Sequence, residues 1–76
     1  MAQYFFHLRS RGENIDDPEG RECKDLSAAH MEAVATARVL TAKLLLKGQH
    51  PDGQHFEICD AEGKVLLAVP FVAALL

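Results

Sequence analysis

The chain has few cysteines and lacks the spaced groups of Cys and His that bind structural metals. Its 76 residues include Cys23 and Cys59, which can form at most one disulfide. No Cys-x-x-Cys pair and no Cys/His cluster with recognised ligand spacing occurs. Because a core this small usually needs a disulfide, a metal or a partner subunit, the partner subunit is the remaining candidate.

Long hydrophobic segments are also missing. The longest apolar run, residues 65–76, contains Pro70 and is well short of the ~20 residues that cross a bilayer. The first nine residues show no basic leader followed by an apolar stretch and a small-residue cleavage site. We therefore expect no signal peptide, no membrane association, and a cytoplasmic location in which both thiols stay reduced.

The chain has no excess of positive charge and no recognised catalytic motif. Its formal net charge is -3, and residues 11–25 alone carry six acids against three bases. A nucleic-acid surface needs a basic stripe or aromatic platform, but only Arg9 is basic beside Phe5 in the first predicted strand. Nucleophile elbows, His-Glu-x-x-His and phosphate-binding glycine loops do not occur. We expect neither a nucleic-acid partner, nor an enzyme, nor a cofactor.

The segments that are present predict one α+β domain over residues 1–76. Apolar alternation predicts a strand over 3–9 and a weaker one from Ile15 that continues through 21–24. An alanine-rich helix over 25–47 begins at Asp25 or Ser27 and ends at Gly48. Two further strands, 54–60 and 64–69, form a hairpin. The order is β-β-α-β-β, a small antiparallel sheet with one long helix on one face and an apolar tail over 71–76.

The apolar residues exceed what a single helix can cover. The last strand is apolar on both faces, and Phe5 adds an aromatic ring to the outer face. The outward side of the helix is apolar too, which the high helix propensity of alanine also explains. We expect a homodimer, or docking on a protein partner, through the outer sheet face and tail. The predicted interface residues are Phe5, Leu66, Ala68, Phe71, Leu75 and Leu76.

A metal site is an alternative function for the outer sheet face. Imidazole, carboxylate and thiolate groups are suitable zinc ligands, and four of them share this face if the first strand neighbours the strand over 54–60. Their spacing matches no recognised metal motif, so ordinary surface side chains are the favoured interpretation. The four residues are His7, His55, Glu57 and Cys59.

Several short motifs follow one another along most of the chain. They are YFFHLR over 4–9, DPEG over 17–20, DL at 25–26 with Ala28, Ala29, Glu32 and Ala33, DG at 52–53, FEI over 56–58, Asp60, Gly63, VL at 65–66 and VPF over 69–71. In sequence and order these motifs resemble one family of short bacterial proteins classed as a domain of unknown function. The likeness covers residues 4–71, and it implies the fold without implying an activity, a cofactor or catalytic residues. Cys23, Cys59 and the ending over 72–76 depart from the family's pattern.

A second likeness leads to a different kind of partner. The chain is similar at fold level to antitoxins with a small, partial double-stranded-RNA-binding-like fold, which run from a strand through an acidic turn into an Ala- and Glu-bearing helix. The chain lacks the DNA-binding segment that such proteins often carry. This resemblance implies a regulator that binds a toxin or nucleic acid.

Overall fold

A computed structural model of the protein describes residues 1–75, without the side chain of Leu75. It confirms the predicted α+β architecture, in which one long helix packs on one face of an antiparallel sheet. Three strands precede the helix, whereas the sequence predicted two. The elements are β1 (Ala2–Ser10), β2 (Glu13–Ile15), β3 (Arg21–Cys23), α1 (Leu26–Leu46), β4 (His55–Cys59), β5 (Val65–Pro70) and a C-terminal 3₁₀ helix (Phe71–Leu75).

The sheet has the order β2-β1-β4-β5, and all its strand pairs are antiparallel. The strand predicted from Ile15 onwards is split in two by the turn over residues 16–20. Leu8 pairs with Ile15 in β2, and Tyr4 pairs with Arg21 in β3, so five turn residues lie opposite three residues of β1. The turn contains Pro18, which has no N–H to donate to a ladder, and the backbone leaves it through a glycine with positive φ.

Local signals define both ends of α1. Asp25 is its N-cap, and the Asp25 Oδ1 atom accepts a 2.8 Å hydrogen bond from the N–H of Ala28. At the other end, Gly48 takes a φ of 75°, which a side chain would oppose, and its N–H donates to the carbonyl of Leu45. Within residues 1–75, no helix is both long enough and apolar enough to cross a membrane.

The core lies between α1, β4, β5 and the 3₁₀ helix. The buried stripe of α1 consists of Ala29, Ala33, Ala37 and Thr41, whose small side chains let the helix lie close to the sheet. Three leucines on the same side of α1 are only half-buried. They are Leu26, Leu40 and Leu44.

Candidate functional site

Four of the predicted interface residues are described with their side chains, and they do not share one environment. Phe5 and Leu66 are half-buried and Ala68 is exposed. Phe71 is only 2% exposed, and its ring packs against Phe56 with 5.4 Å between ring centroids. The tail is folded back onto the core at this point, so the Phe71 ring belongs to the protomer's own interior.

The end of the tail lies beyond what the structure describes. The predicted interface residue Leu76 falls outside the described residues, and the side chain of Leu75 does as well. The interface residues that remain to be assessed are therefore Phe5, Leu66 and Ala68.

The outer face of β1 and β4 carries a polar network in place of a continuous apolar surface. The Arg9 guanidinium donates to Asp16 Oδ1 at 2.7 Å and to Glu57 Oε1 at 3.0 Å. The hydrogen bond to Asp16, followed by that to Glu57, raises the pKa of Arg9, and the same contact lowers the pKa of Asp16. Because these charges satisfy one another, the apolar part of the outer face is confined to Phe5 and the β5 side.

The four residues of the metal alternative lie on the outer face, as predicted. Strands β1 and β4 are neighbours, and His7 is directly opposite Glu57. Each imidazole already has a partner at Nδ1: the ring of His7 accepts from the Asp17 N–H at 3.0 Å, and that of His55 lies 3.0 Å from the Gly53 carbonyl oxygen.

Two further observations disfavour a metal at this place. The charged Arg9 side chain lies against Glu57 and would oppose a cation. Cys59 is buried, and burial, followed by the charge of Glu57, raises the pKa of its thiol and disfavours the thiolate that zinc requires. Across residues 1–75, no group of three or more His, Cys, Asp or Glu side chains is arranged to hold a metal ion.

Within residues 1–75, the outer edge of β5 presents backbone groups that have no neighbouring strand. The N–H of Phe71 donates to the Gln54 carbonyl at 3.0 Å, on the β4 side. Since successive peptide groups alternate in direction, Val69 and Leu67 also face β4, whereas Ala68 and Pro70 face the open edge. Residues 65–75 contain no charged side chain, although charges are the usual protection of an exposed edge.

The outward side of α1 is a second apolar surface. Met31 is 70% exposed, Val39 is 55% exposed and Leu46 is 87% exposed. Exposed alanines separate them, namely Ala35 and Ala42. This stripe has helical spacing, but its bulky members are far apart and its backbone groups are already bonded within the helix.

An open groove between α1 and the β2 edge is the feature that sequence reasoning missed. Two adjoining cavities of about 400 Å³ and 300 Å³ share Leu8, Ile15 and Leu40 in their walls and so form one continuous trough. It exists because α1 packs chiefly against β4, β5 and the 3₁₀ helix, which leaves the inner side of β1 and β2 uncovered. The hydrophobic pattern of the sequence shows which residues face inward. It does not show which strands of the sheet the helix covers.

The comparisons with known proteins concern the family only. No curated protein and no solved structure matches the chain significantly. A family model described as "Domain of unknown function (DUF6894)" matches residues 3–72. Because that match covers nearly the whole chain, the protein belongs to this family of domains of unknown function.

Proposed function

We propose that this chain is a cytoplasmic, non-enzymatic protein-interaction module that forms a homodimer through the open edge of β5. The observation that carries the proposal is the combination of an unpaired strand edge with apolar side chains beside it. Val65 and Ala68 are exposed, and Leu66 is half-buried next to them. A second strand would satisfy the free peptide groups and cover these side chains in one step.

A two-fold axis suits this edge. If Ala68 of one copy lies opposite Ala68 of the second, the two residues exchange both backbone hydrogen bonds. Leu66 then lies opposite Pro70 of the other copy, so the missing N–H of proline removes only one bond at each end. The β5 strands of the two copies can therefore pair with all backbone hydrogen bonds present at the two-fold axis.

The predicted interface residue Phe5 lies outside this strand-to-strand contact. Its ring lies beside the His7 ring, with 6.3 Å between their centroids, at the border between the polar network and the apolar region. Phe5 lies in β1, so β4 and β5 separate it from the open edge. At ~4.8 Å per strand spacing, a strand added at β5 would lie about 14 Å from β1, and the proposed contact does not cover Phe5.

The experiment is a mass measurement by light scattering after size exclusion, from about 10 µM to about 500 µM protein. We expect twice the monomer mass of 8.4 kDa at the upper concentrations. Ala68→Pro removes the outward N–H, and Ala68→Lys keeps it but adds a charge; both should shift the protein towards monomer. A monomer throughout the range would overturn the proposal.

A matched pair of controls separates the edge from the helix stripe. Met31→Lys and Val39→Lys place a charge on exposed apolar positions of α1 and should leave the dimer intact. If these variants dissociate the dimer and the Ala68 variants do not, the interface lies on α1 and the assignment to β5 is wrong.

The antitoxin-like alternative remains a prediction from resemblance. If the protein has this function, it should form a complex with a toxin or a nucleic acid in place of a second copy of itself. The same mass measurement, repeated on protein purified from the native host with its bound material, distinguishes the two because a heteromeric complex has a mass that is not twice 8.4 kDa.

A further inference from the structure

We infer that the groove between α1 and β2 binds a single-chain aliphatic carboxylate, with the acidic head at Lys43 and Lys47 and the chain along the apolar floor. This site lies at the β2 edge, whereas the proposed dimer uses β5 at the opposite edge of the sheet. The inference therefore stands independently of self-association.

The shape of the groove suits a narrow, extended ligand. Its two parts, of about 400 Å³ and 300 Å³, together fall within the ~300–1,000 Å³ range of small-molecule sites. They adjoin end to end at Leu8, Ile15 and Leu40, which is the geometry of a trough and not of a round pocket. A single aliphatic chain can occupy both parts at once.

The floor and walls are apolar over most of this length. Ile15 is 50% exposed although it lies on the inner side of the sheet beside Leu8. Further half-buried or buried side chains continue the apolar surface in both directions, so that an aliphatic chain would cover area that now faces water. They are Phe6, Phe56, Leu40, Leu44 and Phe71.

The charges differ between the two ends. At one end, Arg21 forms a 2.8 Å ion pair with Glu32 and lies over the Phe6 ring, 5.6 Å from its centroid. At this end Asp17 accepts hydrogen bonds from backbone N–H groups of its own turn. These charged groups already have partners within the chain.

The other end carries a net positive charge. Lys43 and Lys47 line the groove and take part in no ion pair there. The third charged group at this end is Glu13, so the local sum is one positive charge. The negative end of the α1 dipole works against an anion, but the helix-terminal carbonyls of Leu44 and Leu45 already accept backbone N–H groups.

An added peptide strand fits this place less well than an aliphatic chain. Strand β2 has three residues, and its Ile15 and Glu13 bond towards β1, since the N–H of Phe6 faces that same side. Only the peptide groups of Asn14 face outwards. Because strand addition depends on several main-chain hydrogen bonds, this edge offers too few of them.

The test is a titration of ¹⁵N-labelled protein with dodecanoate below its micelle concentration, followed by amide chemical shifts. We expect saturable shifts along the groove, centred on Ile15 and Leu40. Octanoate and decanoate should bind more weakly, by about three- to fourfold for each methylene removed. Dodecyltrimethylammonium, which has the same chain and the opposite charge, should bind far more weakly than dodecanoate.

Variants separate the floor from the head-group end. Ile15→Asp should abolish binding, whereas Met31→Asp, at an exposed position on the opposite side of α1, should leave it unchanged. The double change Lys43→Gln with Lys47→Gln should weaken dodecanoate binding about five- to tenfold, the loss of two exposed ion pairs. Lys24→Gln with Lys64→Gln is the charge-matched control.

Three results would overturn the inference. They are the absence of saturable shifts, shifts centred on the outer sheet face or on the exposed outward side of α1, and equal binding by wild type and Ile15→Asp. If the two lysine variants bind as tightly as wild type while Ile15→Asp does not, the groove binds apolar chains without selecting an acidic head, and the ligand class stated above is wrong.

Discussion

The carboxylate of Asp17 takes the place of a missing strand opposite Phe6. Asp17 Oδ2 accepts the Phe6 N–H at 3.2 Å, at the point where the turn over 16–20 interrupts the β2/β3 edge. Asp17 Oδ1 accepts the N–H groups of Gly20 at 3.1 Å and Glu19 at 3.3 Å. One side chain therefore closes the turn and satisfies the strand beside it.

Removing this carboxylate should destabilise the fold. We expect Asp17→Ala to lower the free energy of unfolding by about 2 kcal/mol, because several N–H groups lose a charged acceptor together. Urea denaturation gives the value. The control is Asp52→Ala, which breaks only the exposed 3.5 Å ion pair with Arg11 and should change stability by less than about 0.5 kcal/mol. Equal losses of stability in the two variants would contradict the role of Asp17 as acceptor for both its own turn and Phe6.

The Asp17 carboxylate should also make the free energy of unfolding depend on pH in the acid range. Burial alone raises the pKa of Asp17, but the hydrogen bonds from Phe6, Gly20 and Glu19 outweigh it, so the pKa lies below its usual value in the folded protein. Its contribution is therefore fully present above the unfolded pKa and is lost as pH falls through the folded one.

Wild type and Asp17→Ala should consequently differ by a constant free energy of unfolding between about pH 5 and pH 8. The difference should narrow below about pH 4, where the unfolded carboxyl takes up its proton. Urea denaturation at a series of pH values measures this. A gap that stays constant to about pH 2 would show that the Asp17 charge does not stabilise the turn.

The turn also requires a glycine at position 20 for two separate reasons. Its φ is 72°, and a Cβ there would lie 2.9 Å from the Phe5 ring and 3.0 Å from the Tyr4 carbonyl oxygen. Gly20→Ala should lower the free energy of unfolding by about 2–4 kcal/mol, because the left-handed backbone conformation and the steric overlap each add a cost. Gly12 also has a positive φ, but no atom lies within 4 Å of the position that its Cβ would take. Gly12→Ala should therefore lower the free energy of unfolding by only about 1 kcal/mol. Similar losses in both variants would show that Phe5 moves aside freely.

The elements with local signals were predictable from the sequence. Asp25 and Gly48 mark the ends of α1 because capping depends on a few neighbouring backbone groups, and the alternation in β1 and β4 shows which side chains face inward. Proline has no N–H to donate to a strand ladder, and Pro70 accordingly lies at the end of β5, which is an edge strand.

The features that depend on distant contacts were not predictable. The split between β2 and β3 depends on the hydrogen bond between Asp17 and Phe6, which are eleven residues apart in the sequence. The sequence predicts Phe71 in an apolar tail that takes part in the interface, but a 3₁₀ turn after Pro70 returns it to the core beside Phe56. The groove depends on which strands α1 covers, and hydrophobic periodicity is the same for any sideways placement of the helix.

Both cysteines should resist alkylation in the folded protein. Burial, and after it the carboxylate of Glu32, raises the pKa of Cys23, while burial and Glu57 raise that of Cys59. Fewer thiolates form, and access is restricted as well. We expect mass spectrometry to show slow labelling by iodoacetamide at pH 8 and complete labelling in urea. Rapid reaction of either thiol in native buffer would contradict its burial in the folded chain.

Thr41 is the one member of the buried α1 stripe that carries a polar atom. The residue is fully buried, and its Oγ1 has no hydrogen-bond partner within residues 1–75. A hydroxyl buried without a partner costs about 1–3 kcal/mol relative to water. Thr41→Val keeps the branched shape and replaces the hydroxyl with a methyl group, so we expect it to raise the free energy of unfolding by about 1 kcal/mol.

Thr36→Val is the matched control for this change. Thr36 lies on the same helix but is exposed, so its hydroxyl is hydrated and the substitution should alter stability by less than about 0.5 kcal/mol. Urea denaturation of the two variants beside wild type measures the difference, because helix propensity changes equally in both. If Thr41→Val is less stable than wild type, the hydroxyl has a partner in solution, and the place to look for it is the helix carbonyl one turn earlier, at Ala37.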